Sequence, residues 1–368
     1  MDHIDLNSIP VELCNIPVVI YGGGYTGRLI LELLLDKGVE IKYIIDDNEG
    51  LQGDYIENIE VISYQQFIEL SKNYKKIAVI LTTIYGKNVL KKLNLLTNVS
   101  IYELYDCVME KSGLSDIVQN MTKDSDKVEN LKVQLRMLET EMADKESKGV
   151  LEGIIHYLDT KDLNDLSDIC TEDEQYMIPE VRNAIKIPLN IIDAGAYRGE
   201  FLQKLKNNRI NFEKWYCFEA DQENFLYLLK QSKHSGLKDG QQICIDKGLW
   251  SKSGNLYFES GKGTASKIVP YETKNVIDVV SIDDFLGDVS CNYIKMDIEG
   301  AELQALRGGI ELIRRERPIL AISIYHSLDD FWEIPAYLMR ELDNYRYYVR
   351  HHSLVFCETV LYGIPCEL

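Results

Sequence analysis

The sequence predicts an α/β protein in which two units of parallel, doubly wound sheet are joined by a charged helical segment. Three observations predict it. Short apolar runs alternate with helical periodicity towards both ends of the chain. Each end places a glycine loop directly after its first apolar run, at Gly22–Gly27 and Gly195–Gly199. Between them, residues 111–150 lose the strand pattern and become dense in charge. The expected units are 1–110, a helical linker over 111–185, and 186–368.

In the first unit, Ile16–Tyr21 is an apolar run followed by Gly22, Gly24 and Gly27. Leu29, Ile30, Leu33 and Leu34 then fall at helical spacing, and Gly38 ends that helix. Glu40–Ile45 reads as the next strand and stops at Asp46 and Asp47; Ile77–Leu81 is a further buried strand. This is the dinucleotide fingerprint in its proper strand–loop–helix context. It admits a ligand-binding reading, in which the unit takes NAD(P) or a nucleotide sugar. The regulatory, substrate-presenting or structural readings are favoured. The unit is short for a two-half dinucleotide domain, and it contains no catalytic Tyr-x-x-x-Lys.

In the middle segment, Met121, Val128, Leu135 and Met142 are seven apart, as are Leu131 and Leu138. That heptad makes the 117–145 helix either a homodimer contact or a helix laid on its own protein.

The third unit offers strand-like runs at Leu189–Asp193, Lys214–Glu219, Gln242–Ile245, Tyr293–Asp297 and Ile319–Tyr325. It closes with Tyr345–Arg350 and Leu354–Ile364 around a polar turn at His351–Ser353, an antiparallel hairpin at the sheet edge. The helix after Asp297 is expected to run through Leu303, Leu306 and Ile310, with Gly308-Gly309 as a close-packing point. Ser281 and Asp284 read as a helix capping box.

The second glycine loop carries an acid, Asp193, at the end of the strand itself. A pyrophosphate would meet that carboxylate, which is unfavourable. A ligand with positive charge and no phosphate fits better, and S-adenosylmethionine, a sulfonium with an ammonium group, is one. Asp193, Gly195, Tyr197 and Gly199 are the expected loop contacts. Glu219, ending the next strand, would accept the ribose hydroxyls, and Asp246, after the third, would meet the adenine edge. Asp297 ends the fourth strand, and His326 succeeds the fifth. His326 is the expected base, because its pKa suits proton removal near neutrality, and Asp297 is the second candidate. Asp297, Glu299 and His326 would also suit Mg²⁺, but two carboxylates at i, i+2 are unspecific and no metal ligand is assigned. Glu174-Gln175-Tyr176 and the loop Gly261–Ser266 would cover the site. His351 and His352 read as structural or rim residues.

Composition bounds the function. The chain has 368 residues, 45% hydrophobic and 27% charged, enough to bury real cores. Lys and Arg number 40 against 59 Asp and Glu, a net charge of −19. With no dense basic patch, nucleic-acid binding is excluded from the expectations. Eight cysteines include no C-x-x-C pair, so a reduced intracellular protein is expected. No secretory signal or apolar span is recognised, and a cytoplasmic protein without membrane insertion is the reading.

Residues 193–201 (DAGAYRGEF), 217–221 (CFEAD), 246–258, 281–286 (SIDDFL) and 293–309 (YIKMDIEGAELQALRGG) resemble the FkbM family of S-adenosylmethionine-dependent methyltransferases. KMDIEGAE is the most specific piece. The departures are Ala220, where proline is common, and Tyr197, where a smaller residue is usual. The resemblance implies a class I methyltransferase fold, a mostly parallel seven-stranded sheet with a terminal antiparallel hairpin. It also implies methylation of a hydroxyl, less readily an amine, on a sugar, glycan or other small-molecule acceptor. With the small Rossmann-like unit in front, it points to bacterial surface-glycan modification. A cofactor-binding scaffold without turnover is the non-enzymatic alternative.

Overall fold

The computed structural model describes residues 2–3, 13, 15–48, 50–82, 87–103, 114–171, 175–259 and 267–368. The chain divides into two compact units, Met1–Lys123 with Ser353–Val355, and Asp124–His352 with Phe356–Leu368.

The first unit holds β1 (Asp2–His3), β2 (Val18–Tyr21), β3 (Ile41–Ile45), β4 (Tyr55–Ile56), β5 (Ile59–Ile62), β6 (Ile77–Leu81) and β7 (Val99–Glu103). They form one sheet in the order β1-β7-β6-β2-β3-β5-β4, parallel except for the β4–β5 hairpin. Glu57 and Asn58 both have positive φ, as a two-residue hairpin turn requires. β2 is apolar on both faces because both are covered. Val18 and Ile20 pack with Ile30, Leu31 and Leu34, while Val19 and Tyr21 pack with Phe67, Val89 and Leu93. The helix Tyr25–Asp36 ends where Gly38, at φ 77°, turns the chain.

The second unit holds β8 (Leu189–Ala194), β9 (Phe212–Phe218), β10 (Gln242–Ile245), β11 (Gly248–Leu249), β12 (Gly254–Glu259), β13 (Lys267–Ile268), β14 (Asn275–Val280), β15 (Tyr293–Met296), β16 (Ile319–Ser323), β17 (Tyr345–His351) and β18 (Thr359–Pro365). Seven of these form a sheet in the order β10-β9-β8-β15-β16-β18-β17. Its first five strands are parallel; β18 runs antiparallel to β16, and β17 pairs antiparallel to β18, as the closing hairpin predicts. The chain leaves β8 towards β9 on one side and returns as β15 on the other. That reversal opens a crevice at the carboxyl ends of β8 and β15, where open α/β sheets bind ligands. The remaining strands make a separate four-stranded sheet, β11-β14-β12-β13, which the sequence does not predict.

The segment expected as a linker is built into the second unit from residue 124 onwards. Val128, Leu131, Leu135 and Leu138 of the helix Ser125–Glu139 are buried. With Met142, which is buried as well, five of the six heptad residues are thus spent inside the chain rather than on a second copy. Ala143 N–H donates to Tyr347 O (2.9 Å) and Thr171 N–H to His351 O (2.8 Å), which stitches the segment to β17. Arg350 of β17 is fully buried and ion-paired to Asp144 at 2.6 Å. The helix expected to pass through Gly308-Gly309 instead breaks there into Glu302–Arg307 and Ile310–Glu316. A Cβ on Gly308 would lie 2.2 Å from Trp250 O, so the close-packing expectation holds although the continuous helix does not.

Candidate active site

The crevice is lined by the segments immediately after β8, β9, β15 and β16. After β8 the chain turns through Gly195 at φ 74°, Tyr197 at φ 49° and Gly199 at φ 88°. A Cβ on Gly195 would sit 1.8 Å from Asp297 O, so only glycine lets the loop pass the end of β15. Asp297 N–H donates to Ala194 O (3.0 Å), which locks the two turns together.

Glu219, one residue past β9, accepts from Tyr197 N–H (2.8 Å) and Asp221 N–H (2.9 Å). Burial pushes its carboxyl up to about 7, although those two backbone donors pull the other way. The structure thus brings Gly195, Tyr197, Gly199 and Glu219 together as one loop. Asp246 is exposed, one residue beyond β10.

Asp193 requires a correction. Its side chain is fully buried beneath the loop and does not face the crevice. Lys295 Nζ lies 3.1 Å from its Oδ1, and Trp215 Nε1 donates to its Oδ2 (3.1 Å). Lys295 is its register partner across β8 and β15. Burial works against the Lys295 charge, but Asp193 and Asp297 outweigh it and hold the ammonium above its ordinary pKa. Lys295 Nζ also donates to Gly195 O (2.6 Å). Asp193 therefore shapes the loop through Lys295, a residue to which sequence reasoning gave no role. A lysine inside an apolar strand was the available signal, but its partner is visible only through strand register.

Past β15, Asp297 is gripped from several sides. Tyr176 OH donates to Oδ2 (2.8 Å) and Tyr325 OH to Oδ1 (3.3 Å). Burial would raise its carboxyl, but the His326 and Lys295 charges prevail and hold it below the ordinary range. Tyr176, at φ 67°, is set by Tyr362, whose OH accepts its N–H (2.9 Å), and by Tyr293, whose OH donates to its carbonyl. Of the two expected covers, Tyr176 is thus a rigid support. Glu174 and the loop Gly261–Ser266 lie outside the described residues.

His326 lies among three carboxylates. Nε2 is 3.4 Å from Asp297 Oδ1 and 3.5 Å from Glu299 Oε2, and Nδ1 is 3.1 Å from Glu302 Oε1. Burial disfavours its charge, but Glu302, Glu299 and Asp297 together raise it well above the ordinary histidine value. A ring that keeps its proton at neutral pH cannot serve as a free base, which corrects that expectation. Glu302, unassigned by sequence reasoning, is wholly buried and accepts from Ile298 N–H (2.7 Å) and Gly300 N–H (3.0 Å). It fixes a turn in which Glu299 and Gly300 both have positive φ. Burial pushes Glu299 up to about 8, with Asp297 and Glu302 adding to it against the pull of His326.

His351 and His352 are fully buried and structural. His352 contacts Thr171 O (2.7 Å) and Tyr362 OH (2.8 Å), and burial takes it down to about 3. Ser281 caps its helix by accepting from Asp284 N–H (3.2 Å). In the first unit, Asp46 bends back to accept from Gly23 N–H (2.7 Å), while Tyr21 OH donates to Asp47 (3.0 Å).

Among the described residues, no helix is long and apolar enough to cross a membrane. Residues 193–349 match the methyltransferase FkbM domain. No curated protein matches the chain. Among solved structures, methyltransferase FkbM from Methylobacillus flagellatus KT is similar at 21% identity and TM-score 0.55, over 96% of this chain and 94% of that one. A SAM-dependent methyltransferase from Aquifex aeolicus aligns at 14% identity and TM-score 0.33, over 55% of this chain and 97% of that one. UDP-D-quinovosamine 4-dehydrogenase from Vibrio fischeri aligns at 21% identity and TM-score 0.22, over 26% of this chain and 85% of that one. The likeness to the first, spanning nearly all of both chains, establishes a shared fold. The matched residues include the loop after β8, Glu219, Asp297 and His326, and with them residues 193–349 of this protein form a methyltransferase domain of the FkbM family.

Proposed function

We propose that the protein transfers the methyl group of S-adenosylmethionine to a hydroxyl of a sugar or glycoconjugate, in modification of bacterial surface structures. One observation carries the reading. The glycine loop suited to a nucleoside packs directly on the strand end that carries a carboxylate suited to an acceptor, Gly195 lying against the backbone carbonyl of Asp297. A donor whose ribose hydroxyls reach Glu219 places its sulfonium end towards Asp297. The polar surround of Asp297, Glu299 and Tyr325 favours a polyol over an apolar acceptor.

In the step itself the acceptor oxygen attacks the methyl carbon in line. The carbon–sulfur bond breaks, a neutral thioether leaves, and the hydroxyl proton passes to Asp297. The oxygen becomes strongly acidic only as its bond to carbon forms. A weak but ionised carboxylate is therefore a sufficient acceptor for that proton, and most of the acceleration comes from alignment and exclusion of water. His326, positively charged, keeps Asp297 ionised.

The test is calorimetric titration of the full chain with S-adenosylmethionine, then transfer of labelled methyl to bacterial envelope glycans. Binding that survives Glu219→Gln unchanged, or label found on protein or nucleic acid instead, would overturn the assignment.

A further inference from the structure

The large sheet of the second unit carries two cysteines side by side. Cys217 of β9 and Cys244 of β10 are register partners on neighbouring parallel strands, so their side chains leave the same face. Their row continues across the sheet, since Cys217 pairs with Asp193 and Asp193 with Lys295. The two thiols thus end the row whose ion pair supports the glycine loop through Gly195 O. Glu219 lies two residues beyond Cys217, and its N–H donates to the carbonyl of Ile245, the neighbour of Cys244 (3.0 Å). The pair therefore sits directly beneath the loop and its ribose acceptor.

The two thiols are unlike. Cys217 is fully buried, whereas Cys244 is half-buried on β10, the outermost strand of the sheet. Hydrogen bonding by the Cys217 and Ser232 side chains lowers the Cys244 thiol, against burial. Burial pushes the Cys217 thiol well above its ordinary value. Cys244 is thus the accessible nucleophile, and Cys217 the partner behind it. Neighbouring strands lie ~4.8 Å apart, within the roughly 4.4–6.8 Å between Cα atoms that a disulfide spans. Same-face Cβ atoms at that spacing stand wider than the ~3.8 Å a relaxed disulfide prefers, so closure must draw β10 towards β9. A strand paired on one side only can make that shift, and a bond held wider than its preferred span is readily reduced again.

We propose that Cys217 and Cys244 form a redox-sensitive dithiol that closes to a reversible cross-strand disulfide when a peroxide reaches Cys244. The Cys244 thiolate attacks one peroxide oxygen, the oxygen–oxygen bond breaks, and hydroxide leaves as a sulfenic acid forms. The Cys217 sulfur then attacks the Cys244 sulfur. The sulfur–sulfur bond forms, the sulfur–oxygen bond breaks, and the hydroxyl departs with the Cys217 proton as water. The pair loses two electrons to the peroxide, which ends as two waters once the hydroxide takes up the proton that Cys244 released. Moving Cys217 disturbs Asp193, its neighbour in the row, and with it the loop that Lys295 holds. The consequence, a weaker hold on the methyl donor, rests on the proposed methyl transfer; the disulfide itself does not.

The test treats the reduced full chain with hydrogen peroxide, blocks the remaining thiols, and maps peptides by mass spectrometry without reduction. A peptide pair joined through Cys217 and Cys244, lighter by two hydrogens, is expected, and dithiothreitol should separate it. Calorimetric titration of the same samples should show S-adenosylmethionine bound about tenfold more weakly after oxidation, with full recovery on reduction. Cys244→Ser should bind the donor normally and lose the peroxide response, whereas Cys366→Ser, at an exposed thiol, should keep it. No linked pair, or links only through other cysteines, would overturn the disulfide. A linked pair with unchanged affinity, or a response that survives Cys244→Ser, would overturn the coupling to the donor. Mapping needs neither variant nor donor. A reduced chain that binds no S-adenosylmethionine therefore refutes the methyl-donor reading, and the coupling with it, while the disulfide is decided separately.

Discussion

The two glycine loops share one plan in different electrostatic settings. Each succeeds the strand at which its sheet reverses direction, β2 in one unit and β8 in the other. In each, an acid from the neighbouring strand end accepts a loop N–H, Asp46 from Gly23 and Glu219 from Tyr197. Beneath them the resemblance stops. Under the first loop is a neutral hydroxyl: Thr82 donates to Tyr21 O and Gly22 O, both at 3.0 Å. Under the second is a buried ion pair, Lys295 with Asp193, and the anionic cluster at Asp297 lies directly beyond it. The same turn thus serves as plain architecture when its support is neutral and becomes a chemical site when charge is buried under it. Charge in that position is costly for stability and has to be matched at each end.

The largest expected effect tests that cost. Lys295→Met strands Asp193 in the interior and should destabilise the second unit by about 3–5 kcal/mol, read as a fall in its calorimetric unfolding transition. A shift no larger than that of a surface variant would erase the contrast between the loops. Next, Asp297→Asn should lower methyl-transfer turnover by about 100-fold or more while donor affinity, measured by titration, is kept. Equal losses in both would place Asp297 in the donor pocket instead.

The third effect is in pH. The Glu219 carboxyl, ordinarily 4.5, stands at about 7 in the fold, so across that window the folded chain holds a proton that the unfolded chain has released. Stability from this group therefore falls as pH rises from 4.5 to about 7, whereas donor affinity rises as the ribose acceptor ionises. Glu219→Gln should flatten both trends; affinity independent of pH in the wild type would remove Glu219 from the donor site. On the neutral side, Thr82→Val should cost the first unit about 1 kcal/mol by chemical denaturation. Smallest of all, Gly24→Ala meets nothing within 4 Å. It should change stability by less than about 0.5 kcal/mol and leave methyl transfer untouched, unless a ligand held by the first loop governs the enzyme.

Much of this contrast is legible in the residues. Ile77–Leu81 and Gln242–Ile245 are read to the residue, because continuous apolar runs bounded by turns leave little choice. The order of carboxylates at strand ends locates the loop, Glu219 and Asp297. What escapes depends on contacts between distant segments. β12 and β14 are half-exposed strands of mixed composition, and their pairing is invisible locally. The heptad of residues 121–142 looks available to a partner because nothing in its spacing reveals that the same chain covers it. The roles of Asp193 and His326 are misjudged for one reason. A lone carboxylate and a lone histidine have ordinary chemistry, and only register with Lys295, or the return of β16 beside Glu302, changes their charge.

Tyr176 joins residues that are synthesised far apart. Its hydroxyl holds Asp297, but its backbone is set by Tyr362, and its neighbour Gln175 is bound by Glu358. A ribosome that has finished the glycine loop and all five parallel strands has still not made Tyr362, which sets the backbone of Tyr176. Folding of this unit must also wait for contacts across nearly two hundred residues, a separation that slows assembly.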